Sequence, residues 1–273
     1  MSYVSPPDVV RSMVTAGTTK AGLSTGQLVL RSTFSTFLLG GATALAILAT
    51  AQTGVGVVGA LLFPLGLTVV VLLGVELLTG NFGLIPLAVI HRQTTAGRML
   101  RNFWWVLVGH VLGGLLSAFF AASLSSRLWT DLSDPLAQGI IDAAVSKTLA
   151  FQELGAAGGI TLAFLSGVFC NWLVVLGVIM GMTSTHTAGK ILAIWMPIAA
   201  FYALGLEHAV VNLFVIPAGM MLGAPIGLGD WWLWNQLPVL LGNLLGGLLL
   251  MALPLYLAYR PAPAEAEAVS PRW

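Results

Sequence analysis

Apolar residues in this chain come in long runs, and the polar positions between them mark where each run must stop. Thr33 to Ala51 is a first run of bilayer length, since about 20 apolar residues cross the hydrocarbon. Phe103 to Ser123, a segment within Gly158 to Met182, and Leu237 to Tyr256 are three more of the same kind. Two runs are too long. As one helix Val55 to Ile90 would rise about 54 Å at 1.5 Å per residue, against a core of about 30 Å. A break is required, and Gly74, Glu76, Thr79, Gly80, Asn81 and Gly83 supply it. Ile191 to Leu222 poses the same problem and is interrupted around Gly205 to Asn212, where Glu207 and His208 stand in otherwise continuous hydrocarbon. Ionisable groups at such a depth are costly and usually functional. The pattern predicts an all-α polytopic membrane protein with six transmembrane helices, of which helices 2 and 5 are broken.

The connecting segments complete the picture. Val9, Val10, Met13 and Val14 beside Arg11 and Lys20 have the spacing of a short surface helix over Pro7 to Gly26, with an unstructured tail as the open alternative. Arg127 to Lys147, with Asp131, Asp134 and Asp142, reads as a polar loop. Trp231, Trp232 and Trp234 form an interfacial belt. A single transmembrane domain over 1–260 is expected, comprising an N-terminal cytoplasmic segment (1–30), a first repeat (33–123) and a second repeat (155–256). The Pro/Ala/Glu-rich stretch 261–273 is expected to be a disordered cytoplasmic tail.

Composition agrees: 58% hydrophobic, 8% charged and a mean hydropathy of +0.94, about a third of the charge of a soluble domain. A net charge of +1 with no basic patch gives no support for a nucleic-acid partner. Cys170 is the only cysteine, which excludes a disulfide framework or thiolate metal site within one chain. No metal or cofactor site is expected. The N-terminus lacks the basic–apolar–cleavage order of a removable signal. Placing both termini in the cytoplasm puts nine of the eleven Lys and Arg inside and only Arg127 and Lys147 outside, as the positive-inside rule favours.

Gly74-x-Glu76-x4-Asn81-x3-Ile85-Pro86 recurs as Gly205-x-Glu207-x4-Asn212-x3-Ile216-Pro217, a constant offset of 131 residues. Gly109-x-x-Leu112-Gly113-Gly114-Leu115-Leu116 recurs as Gly242-x-x-Leu245-Gly246-Gly247-Leu248-Leu249 at an offset of 133. Corresponding spans lie three apart and so run oppositely, which predicts a 3+3 inverted repeat with its site at mid-membrane, where two broken helices meet. The glycine pairs read as close-packing faces.

Backbone freed at a break must face protein or a water-lined cavity, and half-helix N-termini there favour an anion. Thr79 and Asn81 in one break, with His208 and Asn212 in the other, would supply hydroxyl, amide and imidazole partners. His208 is the only group in either break that ordinarily titrates near neutrality. Glu76 and Glu207, symmetric by the repeat, are assigned a structural role, accepting backbone N–H bonds at the half-helix starts, with proton carriage as the open alternative. His110, opposite Asn243 in the repeat, reads as a structural hydrogen bond.

Glu76-Leu77-Leu78-Thr79-Gly80, Cys170-Asn171-Trp172-Leu173-Val174 and Gly205-Leu206-Glu207-His208-Ala209-Val210-Val211-Asn212 together resemble the formate/nitrite transporters, over about Pro7 to Tyr256. The resemblance implies an aquaporin-like protomer in a homopentamer within the plasma (bacterial inner) membrane, carrying small monovalent weak-acid anions. It implies that Thr79 and His208 line the pore centre with Asn171 close by, that Phe63, Leu67, Leu78, Val174 and Phe201 form apolar constrictions, and that Lys190 and Lys147 supply vestibule charge. The chain departs from the family at Leu78, where phenylalanine is usual, and at Val175 and Gly177, where cysteine and alanine are. Leu78-Thr79-Gly80-Asn81-Phe82 and Phe103-Trp104-Trp105 look most like nitrite-carrying members, so nitrite is the expected permeant, with formate next and bicarbonate or hydrosulfide behind.

Two other classes fare worse. A haem-bearing oxidoreductase subunit would need His110 and His208 as axial ligands. A hydrolase would need a motif such as His-Glu-x-x-His or Gly-x-Ser-x-Gly, and neither occurs. The protein is not expected to be an enzyme.

Overall fold

A computed structural model describes residues 2–260, and the stretch 261–273, expected to be a disordered tail, lies outside them. The fold of the described residues is helical throughout, apart from one isolated bridge between Tyr3 and Ser184. In chain order the helices are α1 (Pro6–Gly22), α2 (Thr25–Thr53), α3 (Gly56–Leu62), α4 (Pro64–Leu72), α5 (Leu78–Ile90), α6 (Ala96–Ser125), α7 (Pro135–Lys147), α8 (Leu149–Glu153), α9 (Gly155–Met182), α10 (Thr187–Ala203), α11 (Ala209–Met221) and α12 (Leu228–Tyr259). The last contains two π-helical turns, Trp232–Gln236 and Gly246–Ala252.

Helices α2, α6, α9 and α12 are each long and apolar enough to cross a membrane. Between them, each over-long run is split in two. Leu73 to Leu77 separates α4 from α5, and Leu204 to His208 separates α10 from α11. The two interruptions are built alike. Gly74 has φ of +64° and Gly205 of +65°, the left-handed conformation that glycine adopts without steric cost. Gly74 N–H donates to Val71 and Val75 N–H to Val70, while Gly205 N–H donates to Tyr202 and Leu206 N–H to Phe201, so each helix ends in the same double-bonded cap. Leu77 and His208 are then extended N-caps of the following half-helices.

Close helix crossings hold this frame. A Cβ at Gly113 would collide with the Thr33 carbonyl oxygen of α2, and one at Gly246 with the Val168 carbonyl oxygen of α9. These glycines are packing faces, as their spacing suggested.

One expectation is corrected. Arg127 to Lys147 is not simply a polar loop. From Pro135 it is α7, started by the Asp134 carboxylate, which accepts from Leu136 N–H at 2.8 Å, and it buries Ala137, Ile140 and Ala144. Of the two alternatives for the N-terminal segment the structure takes the helix, Pro6–Gly22, burying Val9, Val10, Met13 and Val14. Its apolar side packs with Leu84 and Leu87 of α5, whereas α7 packs on α11 through Ala144 and Gly219. Each half-helix after a break therefore carries an amphipathic helix against it.

Candidate functional site

The breaks leave polar backbone inside hydrocarbon, and side chains from other helices satisfy it. Leu78 N–H, the first of α5, donates to His110 Nε2 at 2.9 Å, and Ala209 N–H, the first of α11, donates to Asn243 Oδ1 at 2.9 Å. His110 thus does in one half what Asn243 does in the other, as the repeat predicted. Its Nδ1 lies 2.6 Å from Thr36 Oγ1 and 3.1 Å from the Ser32 carbonyl, so the neutral ring carries its proton on Nδ1. With both nitrogens engaged, His110 is unsuited to be a haem ligand.

Beside each break lies a buried ionic cluster. Glu76 accepts from Lys20 Nζ at 2.9 Å and from Asn81 Nδ2 at 2.8 Å, and Asn81 also donates to Asn102. Glu207 accepts from Lys147 Nζ at 2.9 Å and from Asn212 and Asn235 at 2.7 and 2.8 Å. Asn102 and Asn235 close the loops by donating to the carbonyls of Lys20 and Lys147. The partners of the two glutamates are lysine and asparagine side chains rather than the expected backbone N–H groups. Asn81 and Asn212 spend their amide nitrogens in these clusters. Lys20 was missed as a partner, although it precedes Lys147 by 127 residues, close to the repeat offset.

A cavity of about 370 Å³ opens between α7, α10 and α11, lined by Thr43, Ser146, Lys147, Phe201, Tyr202, Glu207 and His208 among others. Beyond Phe201 and His208 lies a void of about 10 Å³, room for one water, lined by Leu39, Phe63, Leu67, Leu77, Val174, Phe201 and His208. Phe201 stands between them, stacked on His208 (centroids 5.7 Å apart) and edge-on to Phe63 (5.3 Å). The expected apolar residues Phe63, Leu67, Val174 and Phe201 are brought together. Leu78 is not among them. It is buried beside the break, and Leu77 takes its place, because the extended N-cap residue reaches the void while the first helical residue turns into the protein. The repeat contained that signal, since Leu77 corresponds to His208. Nothing in the sequence pointed to Leu39.

His208 is 3% exposed, at the meeting of cavity and void. Its Nδ1 accepts from Val211 N–H at 3.2 Å and its Nε2 lies 3.0 Å from Thr79 Oγ1. An accepting Nδ1 places the neutral ring's proton on Nε2, the atom shared with Thr79. Asn171 Nδ2 donates to the carbonyls of Thr79 and Asn243 at 3.1 and 2.6 Å, tying both halves together behind the threonine. Thr79, Gly80 and Val210 N–H groups make no hydrogen bond to any described residue, so donors at both half-helix starts are unspent. Lys190, half-buried in the first turn of α10, lines neither space.

A helical protein with several bilayer-length apolar helices, and a cavity leading to one imidazole beside a cluster of apolar side chains, is a multi-pass membrane transport protein. The family described as formate/nitrite transporter matches residues 7–257, and the chain belongs to that family. A probable formate transporter of Methanothermobacter thermautotrophicus is 34% identical over 269 residues, 92% of this chain and 95% of that protein. The nitrite transporter NirC of Salmonella typhimurium is 34% identical over 212 residues, 74% of this chain and 72% of its own length. A solved pentameric formate channel with formate bound shares the fold at a TM-score of 0.69 and 24% identity, covering 87% of this chain and 98% of that one.

Proposed function

We propose that this protein is a channel for small monovalent weak-acid anions, built as six spans in a 3+3 inverted repeat, with both termini cytoplasmic, and assembled as a homopentamer in the plasma membrane of a bacterium. The pentamer and the location rest on family membership, and the orientation on the excess of Lys and Arg in the segments assigned inside. The observation that carries the reading is His208, whose Nε2–H and Thr79 partner stand where the cavity that holds Lys147 and Glu207 meets an apolar void. A bare anion entering that void would face a desolvation cost of several kcal/mol or more. A donor at the entrance reduces it, either by hydrogen-bonding the anion or by lending it a proton so that a neutral acid crosses.

In this mechanism unspent half-helix N–H groups and Lys147 draw the anion into the cavity. Phe201, Phe63, Leu67, Leu77, Leu39 and Val174 strip its water. Leu78, Asn81, Asn212 and Asn171 act from behind, holding the breaks and Thr79 in place, while Lys190 has no direct part at the centre.

Nitrite and formate are both oxyanions of one charge with three heavy atoms in a bent O–X–O arrangement, and nothing at His208 and Thr79 separates them. Nitrite is favoured by the two short motifs at the first break and third span, formate by the relative matched over most of this chain, so both are proposed as permeants. Proteoliposome flux of nitrite, formate, bicarbonate and chloride across pH tests this. Fast uptake of the two oxyanions that rises as external pH falls, with chloride excluded, is expected. Chloride passing as fast as formate would sink it.

A further inference from the structure

An anion in the outer cavity needs donors, and most hydroxyls there are already committed. Thr43 Oγ1 donates to the Leu39 carbonyl at 2.7 Å and Ser146 Oγ to the Ala143 carbonyl at 2.9 Å. One Lys147 proton is held by Glu207. Tyr202, also in the cavity lining, is different. Its hydroxyl makes no hydrogen bond to any described residue and is not fully buried, on a half-buried residue that lines the cavity. The rest of the residue is pinned. Its ring is stacked on Phe63 with centroids 4.5 Å apart and planes 22° from parallel, and its carbonyl accepts from Gly205 N–H in the cap that ends α10. A fixed ring with a free hydroxyl is a donor that loses little entropy when it engages a ligand.

The repeat sharpens the point. The counterpart of Tyr202 at the offset of 131 residues is Val71, as that of His208 is Leu77. At both positions the second half carries a hydrogen-bonding side chain where the first carries hydrocarbon, and both side chains line the outer cavity.

We propose that the Tyr202 hydroxyl donates a hydrogen bond to the anion waiting in the outer cavity, selecting oxyanions there before they meet Phe201 and His208. This rests on the transport reading above. An oxygen-bearing anion gains a good bond from the phenol. Hydrosulfide, whose sulfur is a weak acceptor, gains little.

The test is initial influx into proteoliposomes, from the Lys147 side, against concentration of formate, nitrite and hydrosulfide, for wild type, Tyr202→Phe and Tyr202→Leu. Tyr202→Phe keeps the stack and removes only the hydroxyl. It is expected to raise KM for both oxyanions about three- to tenfold, the worth of one such bond, with KM for hydrosulfide unchanged. Tyr202→Leu, which also removes the stack on Phe63, is expected to lower the maximal rate for all three. An unchanged KM for the oxyanions in Tyr202→Phe, or an equal rise for hydrosulfide, overturns the proposal alone. Wild-type protein that carries neither oxyanion overturns the transport reading, and this proposal with it.

Discussion

His208 Nε2 lies 3.0 Å from Thr79 Oγ1, a bond that joins the two breaks across 129 residues of chain. Each comes from the start of a different half-helix, α11 and α5, so the site exists only when both halves are assembled. The threonine hydroxyl accepts from the imidazole and can turn its own proton toward an incoming anion.

His208→Asn removes the exchangeable imidazole proton and keeps a hydrogen-bonding amide. Formate flux is expected to persist at a reduced rate but to lose most of its rise between neutral and mildly acidic external pH. A variant whose pH profile superimposes on that of wild type would remove His208 from proton transfer. Thr79→Val, which deletes the partner alone, is expected to lower the rate at every pH without flattening the profile.

Replacement of His110 separates its two possible roles. His110→Asn supplies the group that Asn243 supplies in the other half and should leave thermal stability in detergent nearly unchanged. His110→Leu leaves Leu78 N–H buried without an acceptor, at a cost of about 1–3 kcal/mol, and should lower the midpoint measurably. Equal stability of the two variants would mean that the cap contributes nothing.

Glu76→Ala leaves Lys20 and the Asn81 amide without their shared acceptor, and Glu207→Ala leaves Lys147 and the Asn212 and Asn235 amides without theirs. Glu76 is 1% exposed and Lys20 22%, so the loss approaches that of breaking a buried pair, about 3–5 kcal/mol. Lys20→Met combined with Glu76→Gln should recover part of it. Unfolding in detergent measured for single and double variants gives the coupling directly.

Phe201→Ala would join the cavity to the void. Flux of formate is expected to rise and discrimination against larger carboxylates such as acetate and lactate to fall, at a stability cost of about 3–5 kcal/mol for a buried phenylalanine. Retained exclusion of acetate would place the size filter elsewhere, among Leu67, Leu77 and Val174.

Much of this was legible in the chain itself. Run length against bilayer thickness located both interruptions, and the spacing of Gly74, Glu76 and Asn81 against Gly205, Glu207 and Asn212 paired them. That symmetry also assigned His110 and Asn243 to the same duty. The sequence alone could determine these features because each depends on distance along one helix or on identity at a fixed offset.

Tertiary structure decided what each polar group faces. Asn81 and Asn212 share the breaks with Thr79 and His208, yet their amides turn to glutamates on the far side, since a buried carboxylate must find donors before any ligand can. Lys20 and Lys147 come to those glutamates across 56 and 60 residues of chain, a pairing set by where the amphipathic helices pack. The one-residue exchange of Leu78 for Leu77 beside the void has the same origin. An extended cap and a first helical residue direct their side chains differently, and only the folded break determines which of the two leucines meets His208.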